Sequence, residues 1–138
     1  MNISDCRLVD IPRILDDRGN LSFVEEFRHI PFGIKRTYWI YDVPGGEERG
    51  GHAYKANDEF IIALSGSFDV VVNDGTEEKV FPLNRSYFGL YVPHGLWRSI
   101  RNFSTNSLAL EFGSTHFDLS DYVLEFDDYK SMKSNGEI

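Results

Sequence analysis

The chain has 138 residues, a formal charge of −8 and 41% hydrophobic residues, with 11 Phe and 7 Tyr among them. That is the size of one domain with ample apolar side chain for a sheet-rich core, and it excludes a disordered chain. The acidic balance excludes nucleic acid and anionic membrane surfaces as partners, because the long-range field repels polyphosphate.

In chain order, "NLSFVEEF", "IKRTYWIYDV", "EFIIALSG", "SFDVVVN", "EEKVFPL", "YFGLYVP" and "SLALEFG" are rich in β-branched and aromatic residues and are separated by turn signals, which predicts strands throughout. In "SFDVVVN" the residues Phe68, Val70 and Val72 share one face, the two-residue period of a pleated strand. The following "NDGTEE" predicts a tight antiparallel hairpin with Asp74 and Gly75 at positive φ. Pro82 and Pro93 fall at segment ends, where a missing backbone donor does least harm. The tail "FDLSDYVLEFDDYKSM" changes character and predicts a short amphipathic helical turn with Ser120 as its N-cap, and residues after Lys133 are expected to fray. Strands at this spacing suit a closed all-β sandwich or barrel, a single domain over residues 1–133 with a tail at 134–138.

No stretch of about 18 apolar residues offers a membrane span, and "MNISDCRLVD" lacks both the basic flank and the apolar centre of a signal peptide. The expectation is a cytoplasmic protein. The single cysteine, Cys6, cannot form an internal disulfide and has no motif around it, so it reads as inert. Small phosphorylated ligands remain compatible with the acidic balance, since Arg18, Arg36, Arg49, Lys55, Arg98 and Arg101 all lie in the part of the chain that carries the motifs below.

Two spaced patterns carry the chemistry. Gly46, His52, Tyr54, Glu59 and Gly66 form the first, and Pro93, Gly95, Arg98 and Asn102 the second. Together they resemble the paired motifs of the cupin superfamily, whose metal ligands are two histidines and a glutamate in the first motif and a histidine in the second. The resemblance implies a double-stranded β-helix, or jelly roll. Residues two apart on a strand face the same way, so positions 52 and 54 both point into such a barrel. Here Tyr54 and Arg98 stand at two of the four ligand positions. Arginine is a permanent cation and two remaining groups hold no ordinary transition metal firmly, so no metal is expected.

The likeness narrows further. "DDRGNLSFVEE", "RGGHAYK", "LSGSFDVVVNDG", "GLYVPHGLWRSIRNFS" and "FDLSDYVLEFDDY" are together similar to the nucleotide-sugar 3,4-ketoisomerases, the WxcM-like or FdtA-type cupins. That resemblance covers Asp16 to Tyr129 and implies a metal-free, cofactor-free homodimer acting on a dTDP-4-keto-6-deoxyhexose in the biosynthesis of deoxy and amino sugars of surface polysaccharides. Moving a ketone from C4 to C3 requires removal of the C3 proton, an enediolate, and reprotonation at C4. The resemblance makes His52 the base, a task suited to a group titrating near neutrality.

Tyr54 is the departure, because the family carries a second histidine there. A phenol is no base at neutral pH, yet its hydroxyl can donate to a developing enolate oxygen. Tyr54 either takes the acid half of the relay or leaves the activity altered or lost. Arg98 is expected beside the sugar or a phosphate, and Arg18, Arg36, Arg49 and Lys55 are candidates for the diphosphate, since guanidinium forks match phosphate oxygens. Tyr38, Tyr91 and Trp97 are candidates to stack on the base or wall the pocket, and Glu59 to orient His52 through a carboxylate–imidazole hydrogen bond. His94 is a weaker ligand-contact candidate.

Three other readings compete. A nucleotide-sugar 3,5-epimerase uses related proton abstraction, but "RGGHAYK" speaks against it. A non-catalytic nucleotide-sugar-binding cupin is kept open by Tyr54. A metal-dependent cupin dioxygenase has the least support, because it needs the ligands this chain lacks.

Overall fold

A computed structural model describes residues 1–138. In chain order the strands are β1 (Arg7–Asp10), β2 (Arg13–Ile14), β3 (Leu21–Ser22), β4 (Arg36–Ile40), β5 (Arg49–Tyr54), β6 (Glu59–Ser65), β7 (Phe68–Asn73), β8 (Glu78–Leu83), β9 (Phe88–Val92), β10 (Trp97–Arg101), β11 (Leu108–Gly113) and β12 (Tyr122–Val123), followed by one helix, α1 (Phe126–Ser134). The order β1-β9-β6-β11-β4 makes one five-stranded sheet, β12-β5-β10-β7-β8 makes the other, and β2 pairs with β3 alone. All strand pairs are antiparallel. This is the all-β jelly roll that the motifs imply.

The two-residue period decides what each sheet buries. Ile61 and Ala63 of β6, Leu90 and Val92 of β9, Ala109 of β11, Phe68, Val70 and Val72 of β7, and Ile100 of β10 meet in one apolar cluster between the sheets. Burial of this kind contributes roughly 1.5–3 kcal/mol for each large apolar side chain. Stepping two residues along the same inner faces leads from apolar to polar groups: Ile61 to Glu59, Ala109 to Glu111, Ile100 to Arg98. The core is therefore dry over most of its length and charged at one end.

Outside the first sheet, Phe60 and Ile62 are covered by Ile11, Ile30 and Phe32 from the N-terminal segment. That covering segment explains "NLSFVEEF": only Leu21–Ser22 is a strand, and the rest serves as a lid, with an isolated bridge between Glu26 and Ile30. Outside the second sheet, the Tyr129 side chain of α1 is fully buried beside Ala53 and Val123, and its hydroxyl donates to the Gly95 carbonyl at 2.9 Å. Trp97 packs there against Phe126 and Tyr129, so it belongs to this outer cluster and not to a pocket.

Some local expectations differ in detail. The β7–β8 hairpin forms, but with Asn73 opposite Glu78 it closes over a four-residue loop in which Gly75 alone has positive φ. Asp74 instead uses its carboxylate to accept from the Thr76 and Glu77 N–H groups. Pro82 lies inside β8, tolerated because β8 is the outermost strand of its sheet. Ser120 caps no helix: it sits within a short 3-10 turn, Leu119–Asp121, capped by Asp118, while α1 begins at Phe126 without a side-chain cap. Past Lys133, the Gly136 N–H bonds the Lys133 carbonyl and the Glu137 N–H bonds the Met132 carbonyl.

Candidate active site

A cavity of about 820 Å³ opens at the charged end of the core. Its lining includes Arg36 and Tyr38 from β4, Arg49, His52 and Tyr54 from β5, Arg98 from β10, Glu111 from β11, and Tyr122 from β12. Strand register assembles it: Arg98 lies opposite His52, Glu111 opposite Tyr38, and Tyr54 opposite Tyr122. Between Arg98 and Ser99 the register shifts by one residue, with Gly50 and Gly51 both at positive φ on the facing strand, a bulge that re-aims the strand beside the site. A methyl group on Gly50 would stand 2.6 Å from Arg98 Nη1, so glycine is needed for close approach as well as conformation.

Arg98 is the hub. Its Nε donates to Glu59 Oε1 at 2.7 Å, and Nη2 donates to Glu59 Oε2 at 3.0 Å, to Glu111 Oε1 at 2.8 Å and to the Tyr38 hydroxyl at 3.3 Å. The guanidinium is buried, as are both carboxylates. Arg98, expected beside the sugar or a phosphate, thus lines the cavity with its Nε and Nη2 engaged by two carboxylates, so its charge is already balanced within the protein. The role expected of Glu59 is corrected: its oxygens serve Arg98 and Tyr38, and it makes no hydrogen bond to His52. Burial works against the Glu59 carboxylate, yet the paired guanidinium holds it below the usual range. Glu111 has a single contact with Arg98, and burial raises it to about 8.

His52 stands with its ring centroid 4.8 Å from Tyr54 and 5.0 Å from Tyr122. Its Nε2 is buried and has no hydrogen-bond partner. Burial, reinforced by the charge of Arg98, pushes the imidazole down to about 3, so it is neutral at physiological pH. The Tyr54 hydroxyl lies 3.2 Å from that of Tyr38 and donates to Tyr122 at 3.4 Å. Burial raises both the Tyr54 and Tyr38 phenols well above their ordinary value, so both keep their protons.

Arg36 spreads beneath these rings, with its guanidinium carbon 5.5 Å from the Tyr54 centroid and 5.6 Å from that of Tyr38. Its Nη2 is buried without a hydrogen-bond partner. Arg49 is exposed at the cavity rim.

The residues present do not fit a metal. Both Glu59 oxygens are engaged by Arg98, and no three His, Cys, Asp or Glu side chains gather anywhere in the chain. A permanent cation occupies the position where the superfamily has a ligand.

Three expected site residues lie elsewhere. Arg18 sits in the β2–β3 loop, exposed and paired with Asp16 at 2.8 Å. Lys55 is exposed just beyond β5, its backbone N–H bonded to the Asp121 carbonyl. Tyr91 alternates with the inward Leu90 and Val92, so it faces the outer side of its sheet and packs near Phe32 under the Arg7 guanidinium. His94 lies outside the cavity and is bonded to Asp58 at 2.8 Å. Conversely, Glu111 and Tyr122 were not singled out by the motifs. For Glu111 a signal exists: in "SLALEFG" it shares the inner face with Ala109, and an acid on a buried face needs a cationic partner.

Residues 4–134 match the family described as FdtA: WxcM-like, C-terminal. The chain belongs to this FdtA family. Among FdtA-like relatives, a TDP-4-oxo-6-deoxy-alpha-D-glucose-3,4-oxoisomerase from Aneurinibacillus thermoaerophilus is 35% identical over 124 residues, covering 90% of this chain and 89% of the relative. A 3,4-ketoisomerase from Helicobacter canadensis superimposes with a TM-score of 0.92 at 35% identity, over 94% of this chain and 98% of the other. A mutant 3,4-ketoisomerase from Thermoanaerobacterium thermosaccharolyticum, in complex with TDP-4-keto-6-deoxyglucose, gives 0.93 at 30% identity over 96% of each chain.

Proposed function

We propose that this FdtA-family protein is a TDP-4-keto-6-deoxyglucose 3,4-ketoisomerase in which His52 is the base and Tyr54 the hydroxyl that serves the enediolate. The observation that carries the reading is the uncharged His52 imidazole, with an unpartnered buried Nε2, in one cavity with the Tyr54 hydroxyl. Each group is in the protonation state its role needs, but burial makes His52, at about 3, a weaker base than the near-neutral one expected and makes the Tyr54 phenol a weaker acid, so the reading rests on their placement beside the substrate.

In this reading His52 removes the C3 proton from the bound 4-ketose. The developing negative charge on the oxygens is met by hydrogen bonds from Tyr54 and its hydroxyl neighbours, fixed in place before the reaction begins. A proton is then returned to C4, and the hydroxyl proton of C3 passes to the C4 oxygen, leaving the ketone at C3. Arg36, with unused donor capacity, and Arg49 at the rim are the cations suited to the diphosphate. Arg98 acts through its ion pairs, holding Glu59, Glu111 and Tyr38 in one arrangement.

The test is incubation of the purified protein with TDP-4-keto-6-deoxyglucose, followed by NMR. Appearance of the 3-keto sugar supports the assignment; intact substrate, or epimerisation with the ketone still at C4, refutes it.

A further inference from the structure

Glu111 is a buried acid that the reaction above does not use. It faces Arg98 of β10, Glu59 of β6, Tyr38 and Arg36 of β4, and His52 of β5 across the inner end of the cavity. Two carboxyl groups share one guanidinium there. Glu59 receives two hydrogen bonds from it and Glu111 one, while Glu111 Oε2 is buried with no partner at all. A bare, buried oxygen costs far more on an ionised carboxylate than on a neutral acid.

A line of hydroxyls leads outward from this pair. Tyr38 Oη is 3.3 Å from Glu59 Oε2 and 3.2 Å from Tyr54 Oη, and Tyr54 Oη is 3.4 Å from Tyr122 Oη. Tyr38 has one proton and two acceptors within reach, the Glu59 carboxylate and the Tyr54 oxygen. Which one it serves depends on whether the carboxyl pair is already protonated.

We propose that the Glu59–Glu111 pair holds one proton at neutral pH, making the trio with Arg98 electrically neutral, and that this proton is passed through the Tyr38 hydroxyl to Tyr54. The relay half of this inference rests on the ketoisomerase reading; the shared proton does not. Its physical basis is ordinary: two acids forced together cannot both ionise beside a single cation, so their titrations separate. At rest the proton sits on Glu111, the partner with fewer donors, and it leaves the pair through Glu59, whose Oε2 lies 3.3 Å from the Tyr38 hydroxyl.

The proton balance closes over one turnover. His52 takes the C3 proton. Tyr54 gives its hydroxyl proton to C4 and is reprotonated by Tyr38, which takes the proton of the carboxyl pair in turn. After product leaves, His52 releases its proton to water in the cavity, and the pair is refilled through the same hydroxyls run in reverse. No net proton is consumed. The device suits a site where a tyrosine, unable to act as a base on its own, stands where the family has a second histidine.

The experiment is infrared spectroscopy of the substrate-free protein, which reports protonated carboxyl groups through their carbonyl stretch. The wild type is expected to show a buried carboxylic-acid band at pH 7 that shifts in D2O and disappears as the pH rises through about 8. Glu111→Gln, which keeps a neutral oxygen toward Arg98, should lack it. Absence of the band in the folded wild type overturns the shared proton, as does its persistence in Glu111→Gln. For the relay, Tyr38→Phe is expected to form product about 100-fold more slowly while still exchanging the C3 hydrogen of the substrate with D2O. Unchanged product formation in Tyr38→Phe overturns the relay. A wild type that shows the band but neither exchanges nor isomerises the substrate upholds the shared proton and refutes the ketoisomerase reading with its relay.

Discussion

Arg98 and Glu59 face each other from β10 and β6 with Nε 2.7 Å from Oε1 and Nη2 3.0 Å from Oε2, a two-pronged ion pair buried at the floor of the cavity. The pair turns what would be two metal-ligand positions into a fixed part of the scaffold. Arg98→Ala leaves the Glu59 carboxylate without its counter-charge and both Glu59 and Glu111 without their donors, and a cost of about 3–5 kcal/mol is expected. Denaturant unfolding measures it. Combining Arg98→Met with Glu59→Gln should be less damaging than Arg98→Ala alone, because no unpaired ion remains at position 59.

The bulge beside Arg98 makes a second prediction. Gly50→Ala forces a methyl group against the guanidinium and a non-glycine residue into positive φ. A loss of about 1–3 kcal/mol follows from the strain, read as a lower unfolding midpoint with the denaturant slope unchanged.

His52 gives a pH prediction with a definite sign. Its folded value, about 3, lies below the ordinary value of 6.5, so between these limits the unfolded chain binds a proton that the native one refuses. Stability therefore falls as pH drops from 6.5 toward 3 and does not change from this source above 6.5. Unfolding measured across that window should show a shallower acid slope in His52→Asn than in the wild type. Activity on the acid side should likewise persist below the pH at which an ordinary histidine is protonated.

Arg36 carries the binding prediction. With one buried nitrogen unpartnered in the cavity, it is matched to a diphosphate oxygen, and Arg36→Ala should weaken TDP binding about 10-fold or more. Calorimetry with TDP reads this directly, and an unchanged dissociation constant removes Arg36 from the phosphate site.

Much of the fold could be read from strand periodicity. Alternation in "SFDVVVN" and "SLALEFG" is set by one dry face, and both are strands, as expected. Tyr91 was ambiguous for a physical reason: its sheet is covered on both sides, by the other sheet and by Ile11, Ile30 and Phe32, so both faces of β9 are apolar and parity alone does not identify the inner one. Arg18 depends on the path of an irregular loop, which no periodicity encodes. Tyr122 reaches the site through a two-residue strand too short to leave a pattern. His52, Tyr54 and Arg98 were legible because strand parity and motif spacing agree on which way each one points.

The central claim is that His52 draws a proton from the substrate. The most direct measurement is NMR of TDP-4-keto-6-deoxyglucose turned over in D2O by wild type, Tyr54→Phe and His52→Ala. Wild type is predicted to give the 3-keto product carrying deuterium at C4, Tyr54→Phe to exchange the C3 hydrogen with slowed product formation, and His52→Ala to do neither. Isomerisation by folded His52→Ala at the wild-type rate would contradict the account.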